Sequence, residues 1–255
     1  MSQRRPEKAE GSEITIVASG DSMISKRLSV HRDERFLRLV KMIRDADVAL
    51  TNCETTFHKK GDFYYAEGLP LASQSTAMAS EPYMADELKW AGFNMASFSM
   101  SHTMDFGVGG MLATMENLDR VGIVHAGTGK NLSEAREARY LETEKGRVAL
   151  ISVCSEHKGS KVASDPRGGL PGRPGCNAIS HETLFVVDSE SFEALKKIKA
   201  KLKTDVGYAN GRMYEKERSL GEDELEFPGH RGIAGWPMRF RIGDKLGICL
   251  LYTSP

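Results

Sequence analysis

The chain has 255 residues, 40% of them apolar and 27% charged, which suits one large α/β domain or two small ones. Thirty-five basic residues balance thirty-five acidic ones, so no net charge favours nucleic acid or an anionic membrane. No apolar run approaches the roughly 20 residues that span a bilayer, and polar Met1–Glu13 lacks the apolar core of a secretory signal, so the sequence reads as cytoplasmic with no transmembrane segment.

Residues 1–12 read as a disordered leader. Residues 13–19 (EITIVAS) are β-branched and apolar and end at Gly20-Asp21, a buried strand followed by a turn. Residues 34–46 carry Phe36, Leu37, Leu39, Val40, Met42 and Ile43 at helical spacing. A second strand, 47–51, closes on Asn52-Cys53-Glu54, and residues 55–76 show no period and read as loop or hairpin. Pro82 starts a helix that runs to Gly92, and a third strand, 93–99, leads into Ser101-His102. A helix over 108–121 ends at Gly122. A short strand, 123–125, follows, and Asn131 caps a helix over 131–138.

Strands are expected at 140–143 and 147–153 around Glu144-Lys145-Gly146, then a Gly- and Pro-rich surface loop over 158–177. A strand at 182–187 precedes a basic amphipathic helix over 190–203, and little periodicity remains from 204 to 248. Four cysteines (Cys53, Cys154, Cys176, Cys249) lie far apart without a CxxC pair, so free thiols are expected rather than a zinc knuckle or disulfides.

Alternating strands and helices with right-handed crossovers give a mostly parallel sheet, and ligands in such sheets bind beyond the carboxyl ends of the strands. That rule gathers Asp21, Asn52, Glu54 and His102 along one edge. Two carboxylates, an amide and an imidazole make a shell for a divalent cation: carboxylates suit Mn or Mg, and imidazole widens the choice to Zn or Fe. Such an ion lowers the pKa of bound water and polarises a phosphoryl or acyl oxygen. Taken singly, an aspartate after a strand is more often a turn former or cap than a ligand.

Gly20-Asp21-Ser22-Met23, Thr51-Asn52-Cys53-Glu54-Thr55 and Ser101-His102-Thr103-Met104-Asp105-Phe106-Gly107 fall in order and together resemble the CapA family of capsule and poly-γ-glutamate synthesis proteins. Gly122–Gly129 with Asn131-Leu132, and Gly172–Gly175 with Asn177 and His181-Glu182-Thr183, are similar to its later blocks. The resemblance covers about 13–205 and implies an α/β, metallophosphatase-like layered sheet-and-helix fold. It further implies a metal-dependent hydrolase of phosphoester or amide bonds acting on a small molecule or polymer, with Asp21, Asn52, Glu54 and His102 as metal residues. His102 is then also the catalytic residue, as ligand or donor to a leaving group. Asp105 is expected to fix its loop, and Gly107 to permit a turn.

Ser101 stands where the family has asparagine. A neutral hydroxyl is a poorer hard-metal ligand than an amide carbonyl, so direct binding, binding through water, or none are open. The alternative is a non-catalytic binding or scaffold protein of polymer synthesis or export. The family's further histidine motifs do not follow, so residues 13–248 read as a domain missing its C-terminal part, with little turnover. Residues 249–255 read as an adapter-derived tail, and 204–255 as irregular. Val17, Leu50, Phe98 and Leu150 are expected in the core, His58 and His157 on the surface, His125 as site or plain loop histidine, and His230 without a role. Gly127-Thr128-Gly129 reads as a turn.

Overall fold

The computed structural model describes residues 13–59, 61–62, 77–155, 161–202, 222, 224–227, 238–242 and 247–253; the backbone alone is described at 180–184, 202, 224–227, 238–242 and 247–253. The chain divides into two compact units, Met1–Ile179 and Ser180–Pro255.

The first unit is built on a four-stranded sheet in the order β1-β2-β5-β6, from β1 (Ile16–Asp21), β2 (Val48–Asn52), β5 (Met95–Ser97) and β6 (Val124–Ala126). All three pairings are parallel, as the alternation of strands and helices requires. Helices α1 (Glu34–Arg44), α2 (Met84–Ala91) and α3 (Gly107–Arg120) are the crossovers. Asp33 caps α1 by accepting from the backbone N–H groups of Arg35 and Phe36. The core joins the sheet to the helices. Fully buried Ala49 and Ala96 let helices approach closely, and Leu88, Met111, Leu118 and Phe98 fill the layer between.

Of the four expected core residues, Phe98 is completely buried, while Val17, Leu50 and Leu150 are half-buried. For Val17 and Leu150 the cause is position. β1 is an edge strand with β2 as its one neighbour, and Ile16 on it is 54% exposed. Leu150 lies on the antiparallel hairpin β8 (Arg139–Thr143) and β9 (Gly146–Leu150), whose residues alternate half-buried and exposed. Lys145 at its turn meets Asp47 at 2.8 Å.

The stretch read as loop contains β3 (Thr56–Phe57), parallel to β4 (Ala79–Ser80). This pairing corrects the placement of His58: the residue is 3% exposed, its N–H donates to Ser80 O at 3.0 Å, and its ring packs edge-on against Phe106, centroids 4.5 Å apart. Thr128–Gly129, read as a turn, forms β7 and pairs antiparallel with β10 (Gly175–Cys176). Asn131 caps α4 (Leu132–Arg136), accepting from Glu134 N at 2.8 Å.

Glu87 on α2 is a buried carboxylate that ties down the segment after β1. Its Oε2 accepts from the N–H groups of Leu28 (3.0 Å) and Ser29 (2.7 Å), and its Oε1 from Ser29 Oγ (2.9 Å). Glu87→Ala leaves two half-buried N–H donors without their acceptor and is expected to cost about 2 kcal/mol. Urea unfolding reads this directly; a loss below about 0.5 kcal/mol, the range of ordinary surface substitutions, would show that the anchor is dispensable.

In the second unit, β11 (Ser180–Val187) leads to α5 (Ser189–Leu202), then β12 (Glu224–Phe227), β13 (Met238–Ile242) and β14 (Gly247–Thr253). The sheet order is β12-β13-β11-β14, with β11 parallel to β13 and antiparallel to β14. The segment read as irregular therefore carries three strands, and the last of them, spanning most of the expected tail, pairs with β11 from Gly247 to Thr253. The leader 1–12, His157 and His230 lie outside the described residues, as does the His181 side chain.

Candidate metal centre at the strand ends

The site follows from sheet register. Asp21 pairs with Asn52, Asn52 with Ser97, and Ser97 with Ala126, so the carboxyl ends of four strands stop side by side. Backbone bonds continue the alignment past the strands: Ser22 N donates to Asn52 O (2.8 Å), and Cys53 N to Ser97 O (2.9 Å). A register irregularity between Ala18 and Asp21 breaks the pairing just before Asp21.

Asn52 is the centre of the cluster. Its Nδ2 donates to Asp21 Oδ1 at 2.7 Å and to Glu54 Oε2 at 2.6 Å. Ser101 Oγ donates to Glu54 Oε1 at 3.2 Å, and His102 Nε2 stands 3.9 Å from the same oxygen. The four residues read from sequence as a metal shell are thus connected on one edge, and Ser101 joins them through its hydroxyl.

Asp105 does more than shape its loop. Its Oδ2 accepts from His102 Nδ1 at 2.7 Å and from Met78 N at 2.9 Å. A proton held on Nδ1 leaves Nε2 with the lone pair, on the side of Glu54. The i, i+3 spacing of His102 and Asp105 was the available signal for this pair. Two glycines shape the surroundings. Gly107 opens α3 at φ +62°, and Gly127 has φ +103° with the space of a Cβ already taken by Ser99 and Ser152.

Glu54 is held above its ordinary value, first by burial and then by the charge of Asp21; the Ser101 and Asn52 hydrogen bonds and His102 oppose the rise. Because the folded pKa lies above the unfolded one, the folded state holds this proton more tightly. Stability contributed here is present below the ordinary value of 4.5 and falls as pH rises through the raised pKa. Glu54→Gln is therefore expected to stabilise the metal-free protein increasingly from about pH 4 to pH 7. Urea midpoints in chelator check the sign; a variant equally stable at both ends of that range would contradict it.

Among the described residues, no group of three or more His, Cys, Asp or Glu side chains is placed to hold a metal ion. The oxygen donors at the strand ends come instead as a carboxylate–amide–carboxylate row. Asn52 presents N–H to both carboxylates; turning the amide over presents its oxygen to the same point. With the amide so turned, three oxygens would face one point, an arrangement that a hard cation stabilises. Turned in this way, Asp21, Asn52 and Glu54 could hold a divalent ion, with His102 Nε2 adjacent.

Among the described side chains, the other histidines and thiols are not part of this row. His125 is buried, its Nε2 3.2 Å from Asp119 Oδ1 on α3, and burial pushes its pKa down. Cys53, Cys154 and Cys176 are buried thiols outside any disulfide, and burial pushes Cys53 and Cys176 up to about 12, where thiolate chemistry is absent at neutral pH. A cavity of about 350 Å³ opens beside Asn52 and Glu54. A larger one, about 450 Å³, is lined by His58 and Phe106 but by none of the clustered residues. No helix among the described residues is long and apolar enough to cross a membrane.

Residues 15–209 match the family model described as bacterial capsule synthesis protein PGA_cap. Two uncharacterized proteins of Sinorhizobium fredii (strain NBRC 101917 / NGR234), y4sH and y4uA, are each 39% identical to this chain over 187 residues, 73% of this chain and 40% of theirs. The chain thus spans about 40% of the length of these curated relatives.

Proposed function

Since the chain belongs to the bacterial capsule synthesis protein family PGA_cap and has a metallophosphatase-like α/β fold, we propose that its strand ends form a divalent-metal site serving hydrolysis of a phosphoester or related bond in capsule polymer metabolism. The observation that carries this reading is Asn52, bridging Asp21 and Glu54 beside an imidazole already oriented by Asp105. Asp21, Asn52 and Glu54 would hold the ion, which supplies charge stabilisation at a phosphoryl oxygen when bound. His102 Nε2 is the group that handles a proton next to it, because Nδ1 is committed to Asp105. The identity of the ion is left to Mn, Mg, Zn or Fe by the mixed oxygen and nitrogen donors.

Ser101 favours a second reading. Its hydroxyl donates to Glu54 rather than offering an amide oxygen, so a protein that binds without turnover, acting as a scaffold in polymer synthesis or export, fits the same cluster. Hydrolysis of bis(p-nitrophenyl) phosphate with and without added Mn²⁺ separates the two. The hydrolase reading expects slow, metal-dependent release of p-nitrophenol that is lost in His102→Ala. Mn²⁺ binding without metal-dependent release would contradict it and support the scaffold.

A further inference from the structure

The cavity beside the cluster is walled largely by hydroxyls. Its wall is Ser97, Ser99, Ser101 and Ser155, with Asn52 and Glu54 at one end. The described residues that line it include no lysine, arginine or histidine. Most of its fixed polar hydrogens are already used inside the protein. Ser99 Oγ donates to Asn177 O at 3.0 Å, Ser101 Oγ to Glu54 Oε1 at 3.2 Å, and Asn52 Nδ2 to two carboxylates. Ser97 and Ser152 share a bond of 2.8 Å, which consumes one of their two protons. What remains for a ligand is mostly acceptors, the Ser99 and Ser101 oxygens, Asn52 Oδ1 and the Glu54 carboxylate, with the Ser155 hydroxyl and the second proton of the Ser97–Ser152 pair as donors.

A wall richer in acceptors than in donors, next to a carboxylate, disfavours phosphate and carboxylate groups, since each brings lone pairs and negative charge. It suits a ligand that arrives with O–H donors. An ammonium group is less well matched, because it donates only and cannot accept from the Ser155 hydroxyl or the spare proton of the Ser97–Ser152 pair. The volume, about 350 Å³, is at the lower end of the ~300–1,000 Å³ of small-molecule pockets and takes one ring. We propose that this serine wall binds a neutral, hydroxyl-bearing sugar ring. On the reading given above, that ring is the part of the substrate adjoining the bond presented to Asp21, Asn52 and Glu54, and an anionic γ-glutamyl segment is disfavoured there.

The test is binding in the presence of chelator, so that it does not depend on metal. Amide spectra of the ¹⁵N-labelled full chain are titrated separately with methyl α-glucoside, methylammonium and orthophosphate. Saturable shifts at Ser97, Ser99, Ser101 and Cys154 with the glucoside, and none with orthophosphate, are expected. Ser155→Ala, at the exposed rim, and Ser101→Ala should each weaken glucoside binding by about 2–10-fold, the worth of one hydrogen bond. Shifts with methylammonium or orthophosphate but not the glucoside, or with none of the three, would overturn the assignment. Such a failure leaves the metal reading standing, and glucoside binding in a protein that ignores Mn²⁺ does the reverse.

Discussion

Asp21→Asn combined with Glu54→Gln is expected to weaken Mn²⁺ binding by more than the ~10–100-fold that loss of an outer-shell partner costs, because it removes both formal charges from the row. The shell gathered by the described residues is small, so each charge carries a large share of the attraction. Asn52 keeps its place in the double variant, since new side-chain amides stand where the carboxylates accepted from it. The backbone register that aligns β1, β2 and β5 does not involve either side chain. Loss of binding with an unchanged far-UV spectrum is therefore the expected pair of observations by calorimetry and circular dichroism. Unchanged Mn²⁺ affinity would place the ion elsewhere.

The second large effect is on stability. Phe98 is completely buried and joins β5 to the loop that carries Ser101 and His102. Its N–H donates to Ala126 O at 2.9 Å, so the backbone is pinned while the ring fills the core with Met111 and Leu118. A pinned backbone cannot collapse into the space left by a lost ring. Phe98→Ala is expected to cost about 3–5 kcal/mol in urea unfolding. A loss near 1 kcal/mol would mean that the core relaxes around the site loop more freely than these contacts imply.

The strands and crossovers of the first unit were legible because each strand is a short apolar run closed by a polar turn, and each helix shows a 3.6-residue period. That reading was enough to bring Asp21, Asn52, Glu54 and His102 to one edge. What it missed depends on contacts distant in sequence. His58 looks like a polar loop residue until Thr56–Phe57 pairs with Ala79–Ser80 and turns it against Phe106. Val17 reads as core because a parallel sheet buries both faces, yet position at a sheet edge leaves it half-buried, beside Ile16, which is exposed. The second unit's strand Met238–Ile242 did carry a signal: MRFRI alternates with the two-residue period of a strand. The hydrogen bond from Ser101 to Glu54 was not legible, since a serine hydroxyl has no sequence signature for its partner.

The account rests on one claim, that the strand-end row is a cation site. Amide spectra of the ¹⁵N-labelled protein, recorded while Mn²⁺ is added in substoichiometric steps, test it most directly, because the paramagnetic ion broadens signals nearest to it first. A cation site there gives early loss of the signals of Asp21, Asn52, Glu54 and Ser101-His102, a pattern absent in the Asp21→Asn, Glu54→Gln double variant. Broadening that begins at surface acidic residues such as Glu142 or Glu193, or that persists unchanged in the double variant, would contradict it.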